Sequence, residues 1–455
     1  MIISWFFRKI FSMITMKFGG SSVANAERFR QMAEIVKSQL DKRPVLVLSA
    51  MGDTTDHLLE AADSALKKGI VKLDKIEDLH IKTIDDLKLG SGVKAQIQPL
   101  LDELKTLLMG ISLIKELTGR TKDYLVSFGE RFSVRIGAAY FNSIGIRAKA
   151  MDAWDGGFIS DSNFTQAELI TEAWNLIPSR LLAAAEEGIL QVVTGFIAKD
   201  EKGNITTLGR GGSDLTATMI GASCGASEIQ VWKDVDGILT ADPRLVENAR
   251  VVEMVTYEAA SELAYYGAQV LHPRAMQPCL KSGTPVLVKN SYNPSAPGTK
   301  IVKNLAGKES PLQAITSRKN VTLVDIVSSR MLGQHGFLAE VFSCFAKHRI
   351  SVDMVATSEV SVSMTLDASY ILDDIKNELS QIANVDIKTG KAIVTIIGDV
   401  KRSSEILSRT FKICGDLGVQ VQMISQGASK VNISFIVNDK EAPVVVKALH
   451  KDFFE

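Results

Sequence analysis

Lys17-Phe18-Gly19-Gly20-Ser21-Ser22 sets one lysine, two glycines and two hydroxyls at the end of an apolar run. Bare backbone, a cation and a strand to hold them are the makings of an anion site. A second stretch of this kind is Leu208-Gly209-Arg210-Gly211-Gly212-Ser213-Asp214. Its glycines admit a ligand closely, and Arg210 offers a planar fork for a carboxylate or phosphate. Ser213 or Asp214 is placed to cap the helix that follows. Glu130 stands after Gly129 in "LVSFGERFS", and "KDVDGILTADPR" carries Lys233, Asp234, Asp242 and Arg244. There is no GxxxxGK[ST] run, so the common P-loop answer fails. His272-Pro273-Arg274 reads as structural. A lysine with backbone donors neutralises a moving phosphoryl group. An arginine holds a carboxylate, and a glutamate holds an ammonium. The set suits phosphoryl transfer from a nucleotide to the side-chain carboxylate of an amino acid. That carboxylate is already a nucleophile, so the catalyst's work is alignment and cancelling charge repulsion.

These residues need strand ends to position them, because ligands of open parallel sheets sit beyond the carboxyl ends of the strands. Phe11 to Phe18 reads as the first strand. "VLVLSAMGDTTD" is a continuous apolar run, as expected for a strand buried on both faces, and it ends in Ser49 to Thr55. "YLVSFGERFSVRIGAAYF" reads as strand, Gly turn and helix. "ILQVVTGFIA" ends in Thr194-Gly195, "EIQVWKDVDG" runs into Asp234, and "TPVLVKNS" is a further strand. Strand and helix alternating in this way predict an α/β domain, a mainly parallel sheet sandwiched by helices. It is expected over residues 1–310, with 1–10 as a tail.

A Pro/Gly/Lys-rich segment, 293–313, closes that domain, and the chain then repeats itself with a period of about 70 residues. Phe342 aligns with Phe411, Ile350 with Val419, Val352 with Val421 and Met354 with Met423. Each copy reads as a small βαββαβ module, at 311–388 and 389–455. In the first helix of the repeat Leu338, Val341, Phe342 and Phe345 form one apolar stripe.

Composition excludes some functions. The 52 basic and 52 acidic residues balance, which argues against nucleic acid as a partner. Four scattered cysteines give neither a disulfide scaffold nor a zinc site, so no metal-ligating set is expected and a reducing, cytoplasmic setting is. No segment reads as a membrane span or a signal peptide.

"KFGGSS" (17–22), "VLSAMGDTTDHL" (47–58), "LVSFGERFS" (125–133), "TLGRGGSDLTA" (207–217), "KDVDGILTADPR" (233–244) and "GAQVLHPRAM" (267–276) together resemble the aspartate kinases of the amino-acid kinase family. Residues 336–367 and 423–437 resemble their two ACT modules, which are ferredoxin-like. The resemblance implies Mg-ATP as donor, L-aspartate as acceptor and 4-phospho-L-aspartate as product, at the entry to lysine, threonine and methionine synthesis. It implies Lys17 on the transferring phosphoryl group and Gly19, Gly20 and Ser21 beside the phosphates. Ser49, Thr55, Glu130, Arg210 and Ser213 would hold aspartate, and Asp214 would organise the reacting groups. Lys233, Asp234, Asp242 and Arg244 fall in the nucleotide segment. Feedback inhibition by L-lysine is implied at Met331, Gly336, Phe337, Leu338, Asp353, Thr357, Ser358 and Glu359. A homodimer through the ACT modules is expected, with a tetramer as the larger alternative. Three residues depart from the family pattern: Ser21 for threonine, Gln269 for lysine and Lys430 for glutamate. A sensor of the same fold without turnover is the competing reading.

Overall fold

The computed structural model describes residues 13–266, 271–305, 312–331, 335–368, 370, 372–398, 403–426 and 431–455. The tail 1–10, Gln269, Lys430 and the expected boundary at 310/311 lie outside them. The chain forms two units. One comprises Met1–Ile238, Glu253–Tyr257 and Val270–Leu305; the other comprises Leu239–Val252, Glu258–Gln269 and Ala306–Glu455.

The strands of the first unit are β1 (Ile14–Phe18), β2 (Pro44–Leu48), β3 (Ala148–Met151), β4 (Ile159–Ser160), β5 (Leu190–Thr194), β6 (Ile197–Asp200), β7 (Ile205–Thr207), β8 (Glu228–Lys233), β9 (Met254–Thr256), β10 (Val286–Asn290) and β11 (Thr299–Val302). Eight of them make a sheet in the order β3-β5-β2-β1-β8-β10-β11-β9. Every neighbouring pair is parallel except β10 with β11. Every residue of β1, β2 and β5 is buried, which is why their sequences run apolar without alternation. The helix Ala26–Lys37 is started by Asn25, whose side chain accepts from Arg28 N–H at 3.1 Å. Its Phe29, Met32 and Val36 join Phe128, Phe132 and Phe141 in the main core.

Two expectations change. The first described strand residue is Ile14, not Phe11, which lies outside the described residues. The run from Tyr124 to Phe128 is no strand; it lies within one helix, Gly119–Ser143, whose N-cap Thr118 accepts from Thr121 N–H. This helix is buried around most of its circumference between Asp123 and Phe141, so no polar face reveals its period.

The second unit holds β12 (Leu312–Val327), β13 (Val355–Thr357), β14 (Ser361–Asp367), β15 (Asn384–Gly398), β16 (Met423–Gln426) and β17 (Asn432–Asn438). They form one antiparallel sheet in the order β13-β14-β12-β15-β17-β16. The two modules share its long strands. The later half of β12 pairs with β14 and the first half of β15. The second copy ends on the helix Ala442–Phe454, and its remaining strand comes from Leu312–Arg318, which the sequence assigns to the first copy. The expected stripe of the first repeat helix divides. Val341 and Phe345 are buried with Phe337 and Cys344, whereas Leu338 is 39% and Phe342 37% exposed.

Candidate active site

Lys17 is the penultimate residue of β1, and its neighbour β8 ends on Lys233. The helix Gly212–Cys224 packs on this side with Asp214 in its first turn. Its N-cap is Gly211, at φ +70°, so neither Ser213 nor Asp214 caps it as expected. The Asp214 carboxylate is taken by the two lysines instead: Lys17 Nζ lies 2.6 Å from one oxygen and Lys233 Nζ 3.4 Å from the other. Burial opposes ionisation of Asp214, but Lys17 and Lys233 outweigh it and hold the carboxyl below its ordinary range. Burial lowers the Lys17 pKa, against the pull of Asp214. The result is two ammonium groups fixed by one buried carboxylate at the carboxyl end of adjacent strands.

The Gly19-Gly20 backbone flanks this cluster. Gly19 N–H donates to Trp232 O at 3.2 Å, and Gly20 O accepts from Gly52 N–H at 3.0 Å. A side chain on Gly20 would bring its Cβ within 2.9 Å of Ala50 O, so this approach requires glycine. At Gly19 a Cβ would lie 3.6 Å from Lys17 Nζ; here the missing side chain leaves room beside the ammonium. Ser21 is half-buried, and Ser22 is turned away to meet Ser291 Oγ at 2.7 Å.

Glu130 reaches the same region from the middle of its helix. Gly129 makes this possible, since a Cβ there would stand 2.6 Å from Ala50 Cβ. The close approach lets Ala50 N–H donate to Glu130 Oε1 at 3.1 Å, while Oε2 is buried with no hydrogen-bond partner among the described residues. Burial pushes the Glu130 carboxyl up to about 8, against the Ala50 N–H and the Lys17 charge. A buried acceptor without a partner is costly unless a ligand supplies the donor.

The remaining expected residues fall as follows. Gly195, just beyond β5, lies against Ser213, and a Cβ on it would meet Ser213 Cβ and Oγ at 2.6 Å. Ser49 and Thr55 are half-buried in the loop and helix start after β2; the neighbouring Thr54 is buried and donates to Met51 O at 2.6 Å. Arg210 is exposed and makes no hydrogen bond or ion pair among the described residues, so its guanidinium is free for an anion. Asp234 is exposed. Asp242 and Arg244 belong to the 239–252 stretch of the second unit, where they pair at 2.7 Å. There Ala241 and Val246 enter a core with Phe435 and Leu449.

His272 and Arg274 are structural, as the sequence suggests. His272 caps the helix Pro273–Ser282 and lies against Gly211, where a Cβ would come within 2.4 Å of His272 Cβ. Arg274 donates to Leu208 O at 3.2 Å and to Ala167 O at 3.3 Å.

In the second unit Gly336, at φ +91°, caps the helix Phe337–Lys347. Met331 packs on the core that contains Phe337. Thr357, Ser358 and Glu359 are exposed, and Ser358 Oγ pairs with Ser361 Oγ at 2.6 Å. Asp353 is already engaged within the unit. Arg318 donates to it at 3.0 Å and also binds Asp367, and the Tyr265 hydroxyl donates to its other oxygen. Cys344, His348 and Glu378 also converge here, but the same Glu378 oxygen already takes Lys347 at 2.9 Å and His348 at 3.1 Å. Among the described residues no helix is long and apolar enough to cross a membrane.

The amino acid kinase family matches residues 12–290, and an ACT domain family matches 324–373 and 394–453. Aspartokinase 1, chloroplastic, of Arabidopsis thaliana is 51% identical over 97% of this chain and 80% of its own length. Lysine-sensitive aspartokinase 3 of Escherichia coli is 34% identical over 97% and 99%. Among solved structures, E. coli aspartokinase III in complex with aspartate and ADP (R-state) superposes with a TM-score of 0.84 at 33% identity, over 98% of this chain and all of the other. The same enzyme in complex with lysine and aspartate (T-state) gives 0.81 at 34% identity, over 97% and 100%. The fold, the ordered motifs and these matches agree: the chain belongs to the aspartokinases of the amino acid kinase family and carries their ACT domains.

Proposed function

We propose that this chain transfers the γ-phosphoryl group of Mg-ATP to the side-chain carboxylate of L-aspartate, forming 4-phospho-L-aspartate for amino-acid biosynthesis. One observation carries the reading: Lys17 and Lys233 share the buried Asp214 carboxylate beside the Gly19-Gly20 backbone. Two fixed ammonium groups offset the repulsion between an anionic nucleophile and an anionic phosphoryl donor. Asp214 keeps both lysines aimed without proton transfer. Glu130 Oε2 accepts from the substrate's α-ammonium, and Arg210 holds its α-carboxylate. Ser49, Thr55 and Ser213 supply hydroxyls around it. Gly19, Gly20 and Ser21 line the phosphates, and Lys233 and Asp234 serve the nucleotide. Asp214 is engaged by lysines, a donor set that suits magnesium arriving on the nucleotide's own phosphates rather than in a carboxylate cage. When bound, magnesium neutralises phosphate charge.

Regulation by L-lysine at Met331, Gly336–Leu338, Asp353 and Thr357–Glu359 completes the proposal. A lysine ammonium at Asp353 would exchange with Arg318 and Tyr265. Support comes from the E. coli relative solved with lysine. Pairing of two copies through the ACT modules suits the exposed Leu338, Phe342 and Val360, with a tetramer as the larger assembly. Four free cysteines suit a reducing, cytoplasmic compartment.

The test is ADP release from Mg-ATP with L-aspartate, L-glutamate or neither, each with and without L-lysine. The proposal expects turnover with aspartate alone and its suppression by lysine. Lysine binding without turnover would favour the sensor.

A further inference from the structure

Asp123 has no place in the proposed chemistry, yet its carboxylate is buried and fully engaged. Its Oδ2 accepts from Thr165 N–H at 2.8 Å and from Thr207 N–H at 3.0 Å, and its Oδ1 accepts from the Thr207 hydroxyl at 2.7 Å. Burial pushes this carboxyl up, while the three donors pull it down. Thr165 holds φ +72°, an unusual conformation for a branched residue, with its N–H on Asp123. Its carbonyl faces Gly209, where a Cβ would lie 3.3 Å away. Thr207 is the last residue of β7 and leads directly into Leu208-Gly209-Arg210-Gly211. Asp123 therefore fixes where the Arg210 loop starts, and the Arg274 bond to Leu208 O fixes the next residue.

Asp123 and Glu130 lie on the same helix, seven residues apart. That spacing is about two turns, roughly 10 Å, and it returns to the same face. One rigid helix thus carries the group proposed for the α-ammonium and the anchor of the loop proposed for the α-carboxylate. We infer that Asp123 is a positioning residue that sets the distance between Glu130 and Arg210, and so tunes recognition of the α-amino acid end of the substrate. This rests on the substrate roles proposed above for Glu130 and Arg210.

The test is steady-state kinetics of the full chain with aspartate and ATP varied separately. Asp123→Asn keeps the size but removes the charge that the three donors share, and with its amide oxygen on the two N–H groups its N–H₂ turns toward the Thr207 hydroxyl, which must reverse its bond. It should raise the KM for aspartate about tenfold or more, as small misplacements of binding groups do, and leave kcat and the KM for ATP within about threefold. Thr207→Val should act in the same direction, and Thr207→Ser should restore the wild-type value. If Asp123→Asn does not fold, as judged by thermal melting, the Thr207 pair decides. A folded Asp123→Asn with unchanged aspartate KM overturns the inference. So do equal rises for aspartate and ATP, or Thr207→Val indistinguishable from Thr207→Ser. Arg210→Ala serves as reference. If it leaves the aspartate KM unchanged, the assigned role of Arg210 fails and the inference falls with it; if it raises that KM while folded Asp123→Asn does not, only the positioning role fails.

Discussion

Replacing Glu130 by glutamine should make the protein more stable and a worse enzyme at once. The carboxyl is buried, its pKa is pushed to about 8, and Oε2 has no partner among the described residues. An unfolded glutamate titrates near 4.3, so between that value and about 8 the folded state binds the extra proton. Stability contributed by this group is therefore complete below about pH 4 and is lost as pH rises toward 8. At pH 7 the penalty is between two and three pKa units, about 3 to 4 kcal/mol. Glutamine keeps an oxygen for Ala50 N–H and removes that penalty, so chemical denaturation at pH 7 should give a more stable variant. Catalysis should move the other way. With its pKa pushed to about 8, Glu130 is mostly protonated at pH 7 in the free protein, and binding the substrate ammonium must expel that proton. The wild-type KM for aspartate should fall about tenfold per pH unit between pH 6 and 7.5 and then level off. In Glu130→Gln the KM should be high and independent of pH, raised on the order of a hundredfold or more for loss of a buried charge partner. Initial rates across pH 6–9 at saturating Mg-ATP measure both effects. A wild-type KM flat with pH, or the same slope in the variant, would refute the reasoning.

Three other outcomes are expected. Gly195→Ala places a methyl where Ser213 now sits, 2.6 Å away, so kcat/KM for aspartate should drop on the order of a hundredfold with the melting temperature little changed; a fully active variant would mean that Ser213 is free to move. His80 is completely buried, with Nδ1 2.6 Å from Ile76 O and its ring against Phe132, and its pKa is lowered to about 4. It stays neutral in the fold while the unfolded chain gains a proton below about pH 6.5, so its contribution to stability should fall by about 3 kcal/mol as pH drops from 6.5 to 4, opposite in sign to that of Glu130; the difference between the wild-type and His80→Gln stability curves should carry this slope, and a difference flat with pH would contradict it. Asp353→Asn should abolish lysine inhibition with turnover retained, whereas Arg318→Ala removes a competitor for Asp353 and should shift half-inhibition to lower lysine, about tenfold; dose–response curves distinguish the two, and a loss of inhibition in Arg318→Ala would contradict the exchange.

The chemistry was more legible in the sequence than the elements that carry it. Lys17, Glu130, Arg210 and Asp214 declare themselves because their types are out of place beside glycines and buried runs. Glu130 was nonetheless expected after a strand, because a helix buried nearly all round looks apolar in the way a parallel strand does. Asp214 was expected as a cap, since helix starts favour such residues. The attraction of two lysines from distant strands overrides that local preference, and no local pattern carries it. Leu338 and Phe342 have helical spacing with Val341 and Phe345, yet they lie on the exposed side. The strand completing the second repeat comes from the start of the stretch assigned to the first, a pairing that sequence periodicity does not encode. Asp123 was invisible for the same reason: its partners, Thr165 and Thr207, are 42 and 84 residues away.

The proposed reaction is phosphoryl transfer to a side-chain carboxylate at the Lys17–Asp214–Lys233 cluster. Its product is an acyl phosphate, which hydroxylamine converts to a hydroxamate. The most direct measurement is therefore hydroxamate formed per ADP released, from Mg-ATP and L-aspartate, with the wild type and with Lys17→Ala. The wild type should give one hydroxamate per ADP and the folded variant none, with aspartate binding retained. ADP release without hydroxamate, or full turnover by Lys17→Ala, would contradict it.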